Sequence, residues 1–200
     1  IYGLLEWVEE NQDVCEKAGI EAYRVNQKEL ERISFLRTPN QVLAICEIPK
    51  WDSLDSTKSE MQLALDGIRD PGNLGTIIRT SDWFGVEMIV CSEDCVDVYN
   101  PKVVQATMGS IARVKVVYTD LARYLQKART DIYATVLGGD SIFDARPGKG
   151  IFVIGNESKG IRPEVLQHAT REISIPSRGG AESLNASVAA GIVLASARKF

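Results

Sequence analysis

The chain of 200 residues contains a single histidine, His168. No serine or aspartate stands in a suggestive relation to it, which argues against a Ser-His-Asp triad and against a histidine-based zinc site. Cysteine is also sparse: Cys15, Cys46, Cys91 and Cys95. Cys91 and Cys95 have no second Cys or His pair near them, so no metal is expected. That usage suits a reducing compartment rather than a disulfide scaffold, and a cytoplasmic location is expected. No apolar run approaches the ~20 residues that span a bilayer, so no membrane association is expected. The opening stretch, IYGLLEWVEENQ, has early acids and no basic residues ahead of its apolar ones. It does not read as a signal peptide, and without Met at position 1 further upstream sequence is expected. The G-x-G-x-x-G fingerprint and the G-x-x-x-x-G-K-[ST] loop are both missing, which weakens dinucleotide and P-loop readings. There are no repeats and no low-complexity segment.

What is there is ordinary globular composition, 44% hydrophobic and 25% charged with a net charge of −4. That is enough for one full domain and a smaller appendage. The charge is unevenly spread. Residues 1–97 hold 9 Lys/Arg against 19 Asp/Glu, whereas residues 98–200 hold 14 against 8. A basic face on the second half could hold phosphates although the whole chain is acidic.

Periodicity and turn signals divide the chain near residue 50. Before it, helices are expected over 1–10, 11–18 (ended by Gly19) and 27–35, with strands over 21–26 and 41–48. Residues 51–60 read as a linker. After it, strands are expected at 61–66, 87–91, 113–117, 131–137, 150–154 and 172–175. Helices are expected at 76–84, 100–108 (capped by Asn100 with Pro101), 119–129, 163–168 and 184–199. Six apolar strands alternating with helices predict an α/β fold, a mainly parallel sheet covered by helices on both faces. Ligands bind such sheets at the carboxyl ends of the strands, where the Gly-rich loops fall here.

Three of those loops carry polar residues suited to chemistry. In DPGNLGTIIRT (residues 70–80), a loop leads into a helix that carries Arg79, able to fork onto a phosphate. The plainer alternative is a surface Arg79 paired with Asp82 three residues on. In FVIGNESKGI (152–161), Glu157 could orient a nucleophile or an Arg, or could simply close a turn. In IPSRGGAESLNASVAAGI (175–192), Ser183 and Asn185 stand at a helix start, where either is a good cap. That helix carries Leu184, Val188, Ile192 and Ala195 on one face. Trp83, beside Phe84, reads as packing rather than as a base-stacking platform. From the residues alone, an enzyme, an RNA-binding module and a nucleotide-dependent oxidoreductase all remain open.

Taken together and in order, these three motifs resemble the SpoU-TrmH family of RNA ribose 2′-O-methyltransferases over roughly residues 61–200. The resemblance implies an α/β sheet whose C-terminal part is tied in a deep trefoil knot, a feature no periodicity could reveal. The stretch TPNQVLAICEIP makes residues 1–50 similar to the end of the small L30e-like substrate-binding domain of that family. By resemblance, S-adenosylmethionine binds in the knot at Leu137, Gly138, Gly155, Asn156, Ile175 and Leu184. Arg79 matches the catalytic arginine, and Asn73, Glu157, Ser183 and Asn185 match the polar residues around it. The family works as homodimers on RNA, and the L30e-like appendage favours ribosomal over transfer RNA. The one departure is Ala186, where a larger aliphatic residue is common.

Overall fold

The computed structural model describes residues 1–49 and 60–198. The expected linker therefore lies almost wholly outside the described residues. The chain forms two compact units, Ile1–Lys50 and Trp51–Phe200.

The first unit holds β1 (Tyr2–Gly3), α1 (Leu5–Glu10), α2 (Gln12–Ala18), β2 (Tyr23–Arg24), α3 (Gln27–Ile33) and β3 (Val42–Leu43). Its strands run in the order β2-β1-β3, parallel to β2 and antiparallel to β3. Gly19 ends α2 with φ +65, a left-handed conformation that only glycine adopts without strain. Asn26 and Glu29 close a reciprocal capping box at the start of α3. The expected strands over 21–26 and 41–48 shrink to two residues each, and the expected first helix gives up Tyr2–Gly3 to a strand. Short alternating segments pair only where a partner backbone reaches them.

The second unit holds β4 (Met61–Asp66), α4 (Pro71–Trp83), β5 (Met88–Ser92), α5 (Pro101–Ala106), a 3-10 turn (Ser110–Ala112), β6 (Lys115–Thr119) and α6 (Leu121–Gln126). It continues with β7 (Ile132–Ser141), α7 (Ile142–Ala145), β8 (Gly150–Gly155), α8 (Pro163–Leu166), β9 (Arg171–Ser174) and α9 (Ala186–Ala197). The six strands pair in the order β6-β5-β4-β8-β7-β9, every pair parallel. Alternate strand residues supply the two faces. Leu63, Leu65, Phe152 and Ile154 pack with Ile77 and Ile78 of α4 and Val193 and Leu194 of α9. Ala64, Ile151 and Val153 pack with Leu121 and Leu125 of α6 and Val165 of α8.

Several boundaries move. The loop expected over 67–75 is half helix, because Asp70 caps α4 by accepting from Asn73 N at 2.8 Å and Pro71 takes the first position. Gly75 is then a helix residue at a close crossing. A Cβ there would lie 2.4 Å from Ala106 Cβ and 2.8 Å from the Val103 carbonyl oxygen. Gly75→Ala is therefore expected to lower stability by about 1–3 kcal/mol, despite alanine's better helix propensity, as read by urea unfolding. β7 runs on through Gly138 and Gly139 instead of stopping there, with an irregular register against β9 between Thr135 and Asp140. α9 begins at Ala186 and not at Leu184, since Asn185 is the cap.

Candidate active site

The chain runs outward from β4 to β5 and β6, then returns to build β8, β7 and β9 on the other side. β4 and β8 are neighbours, but α4 leaves toward one face of the sheet and α8 toward the other. That opens a crevice at their carboxyl ends, the usual ligand position in such a sheet.

Asn73 of α4 reaches across it, Nδ2 donating to Glu157 Oε1 at 2.5 Å. Asn185 Nδ2 donates in turn to Asn73 Oδ1 at 2.8 Å. The Asn185 Oδ1 accepts from Ser187 N at 2.9 Å and Ser187 Oγ at 2.6 Å. The start of α9 thus fixes which way the Asn185 amide faces, and a two-amide relay carries that orientation to the Glu157 carboxylate. Capping and bridging are one arrangement: Asn185 caps α9 with its oxygen and uses its nitrogen for Asn73.

The loop bearing Glu157 is clamped twice to the end of β4. Asn156 Nδ2 donates to Gly67 O at 2.9 Å, while its Oδ1 accepts from Ser158 N and Lys159 N. Arg162, which the sequence reading did not single out, donates through N and Nε to the Asp66 carboxylate, both at 2.7 Å. Asp66 is 1% exposed. Asp66 sits next to Gly67 in β4's end, so both clamps act on one strand terminus. The one signal for this pair in the sequence is an acid closing an apolar strand.

Beside Glu157 lies a cavity of about 530 Å³, in the range of small-molecule sites. Leu137, Gly155, Asn156, Ile175 and Leu184 line it, as does Ser183; Gly138 does not, though with φ +85 it turns the backbone next to Leu137. The walls are mainly apolar, and Thr135 Oγ1 in the wall is buried without a hydrogen-bond partner among the described residues. An apolar slot edged by strand-terminal backbone and an unsatisfied hydroxyl suits a nucleoside-bearing ligand such as S-adenosylmethionine.

Arg79 is not drawn into the relay. It lies exposed on α4 and makes no hydrogen bond or ion pair among the described residues. Asp82, its alternative partner, is taken by Arg113, which donates through Nε at 2.9 Å and Nη2 at 2.7 Å, and by Ser110 Oγ at 2.7 Å. Those bonds hold the Asp82 carboxyl below its ordinary value. The expected strand over 113–117 starts later, at Lys115, and Arg113 is free for this pairing. Trp83 also departs from the packing reading. It is 85% exposed, and Phe84 alone packs against the core. Among the described residues no cluster of His, Cys, Asp and Glu could hold a metal ion, and no helix is long and apolar enough to cross a membrane.

Comparison with known proteins bears on the family and the fold. Residues 60–195 match the model of the SpoU rRNA Methylase family. The chain is 30% identical over 183 residues to the 23S rRNA (guanosine(2553)-2′-O)-methyltransferase RlmP of Bacillus subtilis, covering 89% of this chain and 73% of that protein. It is similar to the crystal structure of an rRNA methyltransferase from Sinorhizobium meliloti, with a TM-score of 0.82, 30% identity, and coverage of 98% and 78%. The AdoMet-bound structure of an rRNA methyltransferase from the same organism gives a TM-score of 0.76 at 29% identity, with coverage of 98% and 78%. With the family model matched over residues 60–195 and relatives of 30% identity, the chain belongs to the SpoU rRNA methylase family of S-adenosylmethionine-dependent RNA ribose 2′-O-methyltransferases.

Proposed function

We propose that this chain methylates a ribose 2′-hydroxyl of ribosomal RNA, with the reacting ribose held between the Asn185–Asn73–Glu157 relay and Arg79. The relay carries the reading: three polar side chains from three distant segments are joined beside a nucleoside-sized cavity. When bound, S-adenosylmethionine supplies the electrophilic methyl group. Leu137, Ile175 and Leu184 form the apolar walls for it, while Gly138, Gly155 and Asn156 shape the loops that support those walls. Glu157, oriented by Asn73, and Ser183 hold the ribose, so that its hydroxyl is placed in line for transfer. A 2′-hydroxyl becomes a good nucleophile only as its proton leaves. A guanidinium offers donors and no acceptor, so the part of Arg79 is to stabilise the developing alkoxide rather than to accept the proton.

Residues 1–50 act as an L30e-like substrate-binding domain joined through the 51–60 linker to the methyltransferase domain of 61–200, and the C-terminal segment is threaded as a trefoil knot. The enzyme works in the cytoplasm as a homodimer. The supporting observation is apolar surface left uncovered on α9 and just ahead of it: Val188 is 50% exposed and Ala195 is also exposed on the helix, and Leu184, two residues before its start, is 45% exposed. α4 packs beside α9 and presents Trp83. Arg79 and Trp83 are one helical turn apart, so a second copy seated on Trp83 also meets Arg79. Val188→Glu and Trp83→Glu are each expected to weaken self-association at least about tenfold, seen as monomers in sedimentation velocity.

The reading is tested by incubating the protein with ribosomal RNA and S-adenosylmethionine and digesting the RNA for mass spectrometry. A 2′-O-methylnucleotide absent from the untreated RNA is expected, with transfer RNA a poorer substrate. Cofactor binding without any ribose methylation would overturn it.

A further inference from the structure

The turn after β5 brings two cysteines together. Cys91 lies in β5, and Cys95 N donates to Ser92 O at 3.1 Å, which folds residues 92–95 back beside the strand. Both thiols are free and belong to one core cluster; Cys91 is wholly buried, whereas Cys95 keeps 8% exposure. The Cys95 sulfur is well supplied with donors. Ile68 N donates to it at 3.2 Å, and Ser92 Oγ lies 3.4 Å away. The Cys91 thiol is hydrogen-bonded to it as well, and that bond does most to draw the Cys95 thiol down to about 7 although burial opposes it. The same bond and burial push Cys91 well above its ordinary value. The Asp94 carboxylate on the turn is met by Arg69 at 3.1 Å and Arg162 at 3.4 Å, and Glu93 is exposed to solvent. A structural buried cysteine is inert because its thiol stays protonated. Here a partly ionised sulfur within reach of solvent touches a second thiol, the arrangement that turns a sulfenic acid into a disulfide.

That sulfur also holds the end of β4. Ile68 is bound on both sides, its N to Cys95 and its O by Val96 N at 2.9 Å, and Gly67 N donates to Ser92 Oγ at 2.9 Å. On the same stretch, Gly67 O takes Asn156 and Asp66 takes Arg162, the two clamps on the loop of Glu157.

We propose that Cys95 is a site of oxidation by peroxide, that Cys91 resolves it to a disulfide, and that this disulfide releases the end of β4. The Cys95 thiolate attacks a peroxide oxygen: the S–O bond forms, the O–O bond breaks, and hydroxide leaves to take up the proton Cys95 has lost. The Cys91 sulfur then attacks the Cys95 sulfur: the S–S bond forms, the S–O bond breaks, and the hydroxyl leaves as water with the Cys91 proton. Two thiols are oxidised and one hydrogen peroxide is reduced to two waters. Drawn toward Cys91, the Cys95 sulfur no longer accepts from Ile68 N. A disulfide of this kind, in a chain whose cysteines are otherwise free, is a transient and reversible one.

The test uses the whole reduced chain, treated with a small excess of hydrogen peroxide, alkylated under denaturing conditions and mapped by peptide mass. A Cys91–Cys95 disulfide is expected, with neither Cys15 nor Cys46 joined to it, and dithiothreitol should return both thiols. In Cys91→Ala, which keeps the Cys95 contacts to β4, no disulfide forms and dimedone is expected to label Cys95 as its sulfenic acid. Amide exchange at Ile68 is expected to quicken about tenfold in the oxidised wild type, from the loss of one hydrogen bond, and to recover on reduction. Alkylation of both Cys91 and Cys95 after peroxide overturns the oxidation site, as does dimedone labelling that misses Cys95. A disulfide that leaves Ile68 exchange unchanged overturns the release of β4. None of these measurements depends on the methyltransferase reading, which is judged separately by methyl transfer in the reduced chain.

Discussion

Arg79→Ala is expected to lower methyl transfer to ribosomal RNA by about 10²- to 10³-fold while leaving the affinity for S-adenosylmethionine within about twofold of wild type. The two halves of this expectation have separate causes. Arg79 does not line the cavity, so removing it takes nothing from the walls that hold the cofactor. It also has no hydrogen bond or ion pair among the described residues, so its loss leaves no carboxylate stranded and should not destabilise the fold. In the role proposed for Arg79, what is lost is a positive charge beside an oxygen that becomes negative only as the methyl group is transferred, an interaction that would act on the transition state alone. The effect should therefore fall on kcat more than on KM. Arg79→Lys keeps the charge but not the planar fork, and only part of the activity is expected to return. Full turnover in the alanine variant would remove Arg79 from the mechanism.

The second large effect belongs to Arg162. Arg162→Ala leaves the Asp66 carboxylate buried, at 1% exposure, without its guanidinium partner. Stranding one member of a buried pair costs about 3–5 kcal/mol. The lower end is expected here, because the Arg162 backbone N still donates at 2.7 Å and the Arg162 side chain is itself 41% exposed. Urea unfolding gives the loss directly. Activity should drop as well, since the same bonds tie the start of α8 to the end of β4 and so hold the loop carrying Glu157. Asp66→Asn/Arg162→Ala, in which no buried charge is stranded, should recover much of the stability but not the activity. If both recover together, the clamp has no part in positioning Glu157.

Much of this protein could be read without coordinates. All six strands of the second unit were expected within a few residues of their places, and so was their parallel arrangement. Strand and helix periods, caps and glycine stops are written within four or five residues of where they act. The main slip was local: Asp70-Pro71 is the same kind of helix start as Asn100-Pro101, but Gly72 and Gly75 made the segment look like a loop. Gly75 is there for Ala106, a neighbour that helix periodicity does not name.

What only the tertiary structure decided is partnership over long separations. Asn73 meets Glu157 across 84 residues, Arg162 meets Asp66 across 96, and Asn185 meets Asn73 across 112. Asp82 had Arg79 three residues away as its local choice and took Arg113 at 31 instead. The first three follow from the strand order that puts β8 beside β4, with α9 packed on α4, and the last from α4 packing against the 3-10 turn. The residue types that can do the chemistry were determined by the sequence. Which of them meet was determined by a sheet whose order is set by packing the whole chain, because no local rule specifies which strand will lie next to which.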